Sequence, residues 1–320
     1  MIEVRNLTKS FGKFTALDNI SCTIQDNCIY GMVGSNGAGK STLLRVLAGV
    51  YKADKGSAQI DGSPIWENPE VKRRIAYISD ELFYVPGSSL KGMAAFSGSL
   101  FPNFNKEKFF RLADELGLDT KKSINTFSKG MRRQSLTILG LAAEPDYIYF
   151  DETFDGMDPV VRSYIKKLIV EEMNKSGASA IITSHSLREL EDTCDQLALL
   201  HKGGMILESD ITTLKTSRFK VQVGFGREFT KDDFAGLDIV SFKKSGSVAN
   251  MIINGDRDEA VAKLQSMGPV LMDILPLSLE EVFTYEMKAL GYEFNLESED
   301  GKGNAIKNVG GETEKGGEAE

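Results

Sequence analysis

The chain has 320 residues, 41% hydrophobic and 26% charged, with a formal net charge of −8, a composition that suits one large globular domain and a smaller one and disfavours a general nucleic-acid binder. No apolar run approaches the roughly 18–20 residues that cross a bilayer, and the start Met1-Ile2-Glu3-Val4 lacks the pattern of a signal peptide. Cys22, Cys28 and Cys194 form no Cys-x-x-Cys pair, which argues against a disulfide framework or a zinc site and fits a reducing cytosol.

In chain order, Ile29 to Val33 is a short apolar run ahead of a Gly-rich turn, the pattern of a buried strand. Ser41 to Ala48 follows as a helix closed by Gly49. Ile75 to Ile78 reads as a strand. Phe101 to Leu116 and Met131 to Ala143 carry helical periodicity, the second stopping before Pro145. Tyr147 to Phe150 and Ala180 to Thr183 are short apolar strands, with a helix at Val160 to Met173 between them. Such alternation predicts a parallel sheet covered on both faces.

From about Asp210 the pattern changes. Strands are predicted at Phe219 to Val223, Ile239 to Phe242, Val248 to Ile253 and Val270 to Ile274, helices at Lys231 to Leu237 and Asp258 to Met267, and a closing helix at Leu279 to Leu290. That β-α-β-β-α-β order predicts a small split-βαβ domain. Residues 293–320 hold eight acidic and three basic side chains among many glycines; this composition cannot build a core and predicts a disordered tail.

Two motifs carry chemistry. Gly34-Ser35-Asn36-Gly37-Ala38-Gly39-Lys40-Ser41 matches G-x-x-x-x-G-K-[ST] between a strand and a helix, and Thr42 continues it. The glycines permit dihedrals that turn successive N–H groups into one concavity, and the helix start adds a positive dipole end. An ordinary Gly-rich turn is the bland alternative, but four fixed positions match by chance in only roughly one chain in a hundred of this length. Lys40 would reach the β- and γ-phosphates and the Ser41 hydroxyl would ligate Mg²⁺. Tyr147-Ile148-Tyr149-Phe150-Asp151-Glu152 then delivers Asp151 to the carboxyl end of a buried strand, where ligands sit in open α/β sheets. Asp151 would hold Mg²⁺ through water, and Glu152 would polarise the attacking water. By itself such an acidic pair more often caps a helix; the upstream cradle favours the functional reading.

Between these motifs lies Phe127-Ser128-Lys129-Gly130-Met131-Arg132-Arg133-Gln134. Here the chain resembles the ATP-binding-cassette (ABC) family, whose signature is L-S-G-G-Q. Ser128 can cap a helix whose N-terminus attracts anionic oxygens. The resemblance implies that Ser128 and Gly130 meet the γ-phosphate of ATP held by the opposite subunit. It also implies that Phe11, 29 positions before Lys40, stacks on adenine, that Asp158 contacts the other subunit, and that His185 touches the γ-phosphate. His201 reads as structural. The sequence departs from the family at Asp80, where Gln is usual. An aspartate still reaches Mg²⁺ or its water but adds negative charge beside the phosphates. Thr153-Phe154-Asp155 replaces the usual proline-led stretch and predicts a locally different loop with unchanged chemistry.

The resemblance covers roughly residues 1–209. It implies an α/β fold class: a P-loop nucleotide-binding fold at 1–209 with a helical signature subdomain near 86–144, to which the strand and helix order adds a small α+β C-terminal domain at 210–292 and the composition adds the acidic tail at 293–320. It implies ATP and Mg²⁺ as cofactors, head-to-tail pairing with a second ATP-binding subunit, and a separate membrane-spanning permease driven from the cytoplasmic face, with no nucleic-acid partner. A soluble ATPase working on ribosomes or DNA is the competing class; its members usually carry two cassettes, a coiled-coil insertion or zinc-binding cysteines, none of which is in this sequence. A regulatory or resistance module that senses ligand without transport is a third. Leu82, Phe83, Tyr84, Val85, Phe96, Leu100, Phe101 and Phe104 are either core of the helical subdomain or, in part, the groove that the resemblance assigns to a short permease helix. Phe83 and Tyr84, nearest the Asp80 loop, are the expected contacts with that permease helix.

Overall fold

The chain enters through an antiparallel hairpin, β1 (Ile2–Phe11) and β2 (Phe14–Ile24), and turns into the buried strand β3 (Ile29–Val33). Helix α1 (Lys40–Leu47) follows, then β4 (Lys55–Ile60), β5 (Ser63–Pro64), the single turn α2 (Pro69–Lys72) and β6 (Ile75–Ile78). Next come α3 (Leu90–Leu100), α4 (Lys106–Glu115) and α5 (Lys129–Ala142). Strand β7 (Tyr147–Asp151), helix α6 (Pro159–Ser176), strand β8 (Ser179–Ser184), the short α7 (Leu187–Leu190), β9 (Gln196–His201) and β10 (Gly204–Asp210) complete this part. The computed structural model describes residues 1–216, 218–275, 277–289, 292–294 and 306–308. Its contacts divide the chain into Met1–Asp210 and Ile211–Glu320.

In the first unit the central sheet runs β10-β9-β3-β8-β7-β6, parallel except for β10. Strands β3, β7 and β8 are buried at every position, which is why their sequences carry consecutive apolar residues, with polar ones only at the ends of β7 and β8, rather than alternating. Helix α1 shares one face of the sheet with a second, antiparallel sheet, β2-β1-β4-β5, that the strand–helix alternation does not foretell. Ile2, Val4, Leu7 and Leu17 from that sheet pack with Leu43 and Leu44 of α1 and with Tyr30, Met32, Tyr149 and Ile181 in one core. The three cysteines are free and buried, and burial pushes the Cys22 and Cys28 thiols up to about 12.

The helical region departs from the sequence periodicity in two places. Residues 101–105 are a loop, because the Asn105 side chain accepts from the Lys108 amide at 2.9 Å and so starts α4 there. Leu90–Leu100 is a helix the periodicity passes over: its apolar residues Phe96 and Leu100 face solvent, so no clean buried stripe marks it. Ser89 caps this helix through the Gly92 amide at 3.1 Å, a contact worth about 1 kcal/mol.

The second unit contains α8 (Ile211–Thr216), β11 (Arg218–Gly224), β12 (Asp238–Ser245), β13 (Val248–Asn254), α9 (Arg257–Ser266), β14 (Leu271–Leu275) and α10 (Leu279–Ala289). Its sheet, β12-β13-β11-β14, is antiparallel throughout, as split-βαβ topology requires. The first crossover is a 3-10 turn, Lys231–Phe234, and not the helix predicted to Leu237. Gly236 at φ +82 reverses the chain just after it. Phe219, Val221, Phe225, Phe229, Phe234 and Met251 belong to its core. Two three-residue strands, β15 (Tyr292–Phe294) and β16 (Ile306–Asn308), pair with each other. The rest of the predicted acidic tail, 293–320, lies outside the described residues.

Candidate functional site

Between the end of β3 and the start of α1, residues 34–39 wrap the helix N-terminus. Gly39 sits at φ +108, and a Cβ there would stand 2.7 Å from the Ala16 carbonyl oxygen, so a side chain is excluded on both grounds. The Lys40 side chain is only 3% exposed. Its Nζ donates to the carbonyls of Gly34 at 2.6 Å and Ser35 at 3.2 Å and lies 3.3 Å from Glu152 Oε1. A cavity of about 290 Å³ opens over the loop, lined by Asn36, Gly37, Ala38, Gly39, Lys40, Ser41 and Thr42 together with Phe14, Ala16, Asp80 and Glu152.

Beneath that cavity Asp151 is wholly buried at the end of β7. Its Oδ1 accepts from Ser41 Oγ at 2.9 Å and from Thr183 Oγ1 at 2.8 Å, and its Oδ2 accepts from Tyr77 Oη at 2.9 Å. Burial pushes its carboxyl above the ordinary range, the charge of Asp80 adds to that push, and the three donors oppose it. Each donor to a buried carboxylate stabilises by about 1.5–3 kcal/mol. Register explains Thr183: β8 lies between β3 and β7, and Thr183 is the Cα partner of both Met32 and Asp151.

Glu152 follows at φ +45, a left-handed backbone that costs a non-glycine residue roughly 1–3 kcal/mol and persists only where neighbours enforce it. Its amide donates to Thr183 Oγ1 at 2.9 Å. Its carbonyl accepts from the Asp155 amide at 3.2 Å and from the Arg133 guanidinium. Asp80 lines the same cavity and is not isolated: Arg45 Nη2 and Ser79 Oγ each donate to it at 3.2 Å. Arg45 thereby offsets the extra negative charge that an aspartate brings to this position.

Other predicted residues stand apart from the cradle cavity. Ser128 caps α5, its Oγ accepting from the Met131 amide at 3.2 Å. Gly130 abuts the backbone after Glu152, where a Cβ would lie 3.3 Å from the Gly156 carbonyl oxygen. Asp158 caps α6 through the Val160 amide at 2.9 Å. His185 is exposed just past β8. Phe11 sits edge-on to Tyr51, ring centroids 5.2 Å apart, and does not line the cavity. Phe14, its partner across the hairpin, does.

A larger cleft, about 1010 Å³, lies at the opposite end of the parallel strands, lined by Asp26, Asp146 and Ser179 among others. An ion-pair net crosses it, with Lys108 at 2.6 Å from Glu172 and Arg74 at 2.7 Å from Asp61. Its size does not make it the site: ligands of such sheets bind at the carboxyl ends, where Lys40, Ser41, Asp151 and Glu152 converge.

A family model described as ABC transporter matches residues 17–155. The ABC transporter ATP-binding protein YtrB of Bacillus subtilis is 29% identical over 283 residues, 88% of this chain and 97% of that protein. The linearmycin resistance ATP-binding protein LnrL, from the same organism, is 31% identical over 212 residues, 64% of this chain and 68% of that protein. The chain belongs to the ABC transporter family. This ABC subunit shares its fold with a solved dimeric ATP-binding cassette in a post-hydrolysis state, bound to ADP and Pi, at a TM-score of 0.60 and 18% identity over 66% of this chain and 99% of that one. As an ATP-binding subunit of this family it is an ATPase.

Four residues of this ABC subunit escape a motif reading. Thr183, Tyr77, Arg45 and Arg133 hold Asp151, Glu152 and Asp80; Arg133 lies within the signature stretch 127–134, but the motifs assign none of the four a role. For Thr183 alone a sequence signal exists: a hydroxyl ending an apolar strand that must neighbour the Asp151 strand in a parallel sheet. Of the eight apolar residues between 82 and 104, Phe83, Val85, Phe96 and Leu100 are exposed, so the reading that makes all eight core is overturned. Tyr84 is half-buried and its hydroxyl donates to the Arg132 carbonyl at 2.7 Å.

Proposed function

We propose that this ATPase drives a separate membrane-spanning permease from the cytoplasmic face, by closing head to tail on a second ATP-binding subunit. The observation that carries the reading is the contact of Ser41 Oγ with Asp151 at 2.9 Å, beside the buried Lys40. It joins the phosphate cradle to a carboxylate at the ends of two strands of one sheet.

The donor set fits Mg²⁺. A hydroxyl and a carboxylate, with Asp80 on the same cavity, are hard oxygen ligands, and Mg²⁺ is usually held by one or two carboxylates plus substrate phosphates. Ser41, Asp151 and Asp80 would hold it; when bound it neutralises phosphate charge. Lys40 and the amides of 34–42 bind and orient the phosphates, and Glu152 orients the attacking water. His185 and the partner's copy of the Ser128–Gly130 helix start complete the charge stabilisation. Ser128 and Gly130 do not line their own chain's cavity, which supports their serving a nucleotide held by another subunit. No helix among the described residues is long and apolar enough to cross a membrane; the transporter relatives named as ATP-binding proteins support a separate permease. Exposed Phe83, Val85, Phe96 and Leu100 are the anchors we assign to its docking helix.

Tagged full-length chain recovered from its own cells should bring down a multispanning membrane protein, and its Mg²⁺-dependent phosphate release should vanish in Lys40→Ala. Recovery with ribosomes or nucleic acid in place of a membrane protein would replace the transport reading by the soluble-ATPase one.

A further inference from the structure

We infer that Arg133 is a positioning residue for hydrolysis, gripping the backbone of Glu152 from α5, so that the helix presenting Ser128 also aims the Glu152 carboxylate. The inference rests on the assignment of Glu152 as the group that orients water.

Arg133 lies on α5, five residues beyond Ser128, and is 4% exposed. Its Nη1 donates to the Glu152 carbonyl and its Nη2 lies 3.6 Å from Asp155 Oδ2. Its Nε is buried without a hydrogen-bond partner. Burying a guanidinium with an unmatched N–H is costly, and an apolar side chain would fill the same space without that cost. Packing alone therefore gives no reason for arginine here. The reason lies at its other end: a non-glycine residue at φ +45 must be held by its surroundings. The Glu152 amide is held by Thr183 and its carbonyl by Arg133 and the Asp155 amide. Lys129, next to Ser128, pairs with Asp155 at 3.1 Å and ties the same turn to the helix start.

Helix α5 runs unbroken from Lys129 to Ala142, so continuous helical backbone joins Arg133 to Ser128 at its start. A tilt that brings Ser128 onto a phosphate moves Arg133 with it. The Glu152 carbonyl follows, and the side chain on the same residue is re-aimed. Arrival of the signature helix at one nucleotide is thereby reported to the catalytic carboxylate of the other.

Arg133→Lys keeps the charge and removes the planar fork. The measurements are single-turnover phosphate release and equilibrium binding of a non-hydrolysable ATP analogue by full-length protein, with Arg133→Gln as a second variant retaining one donor group. A misplaced carboxylate should slow hydrolysis about 10-fold or more, with analogue affinity changed by less than about twofold. In a Glu152→Gln background Arg133→Lys should alter the residual rate by less than about twofold, because the group it positions is already gone. Losses that multiply across the double mutant overturn the inference, as does a wild-type rate in Arg133→Lys, or loss of fold in both Arg133 variants. A wild-type rate in Glu152→Gln alone removes the underlying assignment instead, so the two failures are told apart.

Discussion

Lys40 and Glu152 face each other across the cradle, with Nζ 3.3 Å from Oε1. The ammonium that would bind a γ-phosphate is thus already shared with the carboxylate that would orient water, and phosphate arriving there competes with Glu152 for it. Glu152→Gln removes that competitor along with the base proposed above. ATP-analogue affinity should be kept or improved while turnover falls by about 10²-fold or more. Fluorescence titration and phosphate release measure the two; near-normal turnover would assign the base elsewhere.

Tyr77→Phe takes one donor from Asp151 Oδ2. The Asp151 carboxyl already stands above its ordinary value through burial, with hydrogen bonds from Thr183, Ser41 and Tyr77 opposing the shift. Loss of Tyr77 raises it further. Mg²⁺ needs the ionised form, so protonation competes with the metal as pH falls through that raised value. The acid limb of Mg²⁺-dependent hydrolysis should move to higher pH in Tyr77→Phe, and excess Mg²⁺ should move it back. A limb at the wild-type pH would refute the coupling.

Asp80 shares the cavity with Ser41 and is paired with Arg45 at 3.2 Å. If it joins the metal shell, Asp80→Ala should raise the Mg²⁺ concentration for half-maximal turnover, and Asp80→Gln should lie between. Superimposable magnesium titrations of wild type and Asp80→Ala would leave Asp80 as a partner for Arg45 only.

Thr183→Val strands the Glu152 amide and removes a donor from buried Asp151. The unpaired amide alone costs about 1–3 kcal/mol. Thr183→Val should melt at lower temperature and hydrolyse ATP more slowly, whereas Thr183→Ser, which keeps the hydroxyl, should stay close to wild type. Equal melting temperatures in all three would show that the hydroxyl is dispensable.

Phe83 and Leu100 are 70% and 54% exposed, while Tyr84 bonds inside the subunit. A clean test of docking therefore replaces Phe83 and Leu100 with Ser and leaves Tyr84 alone. Membrane recruitment should fall while ATP binding and the melting temperature hold. Normal recruitment of a folded double mutant would place the permease contact elsewhere.

The nucleotide chemistry was legible in the sequence because it is local. Residues 34–41 form one continuous loop and helix start, and Asp151 ends one strand with Glu152 directly after it, so spacing along the chain already equals spacing in space. Strands β3, β7 and β8 were legible too, since burial on both faces leaves consecutive apolar residues. Helix α3 was not, because its exposed Phe96 and Leu100 blur the amphipathic stripe.

What only the tertiary structure decided is what holds those motifs. Thr183 meets Asp151 through the parallel register of β7 and β8, and Tyr77 reaches the same carboxylate from β6. Arg133 reaches Glu152 because α5 docks against the turn after β7. Phe14, and not Phe11, lines the cavity because of the turn between β1 and β2. Each contact joins residues distant in sequence or depends on which way a strand end faces. Residue type and local spacing carry no information on either, so these partners emerged only when the sheet was assembled.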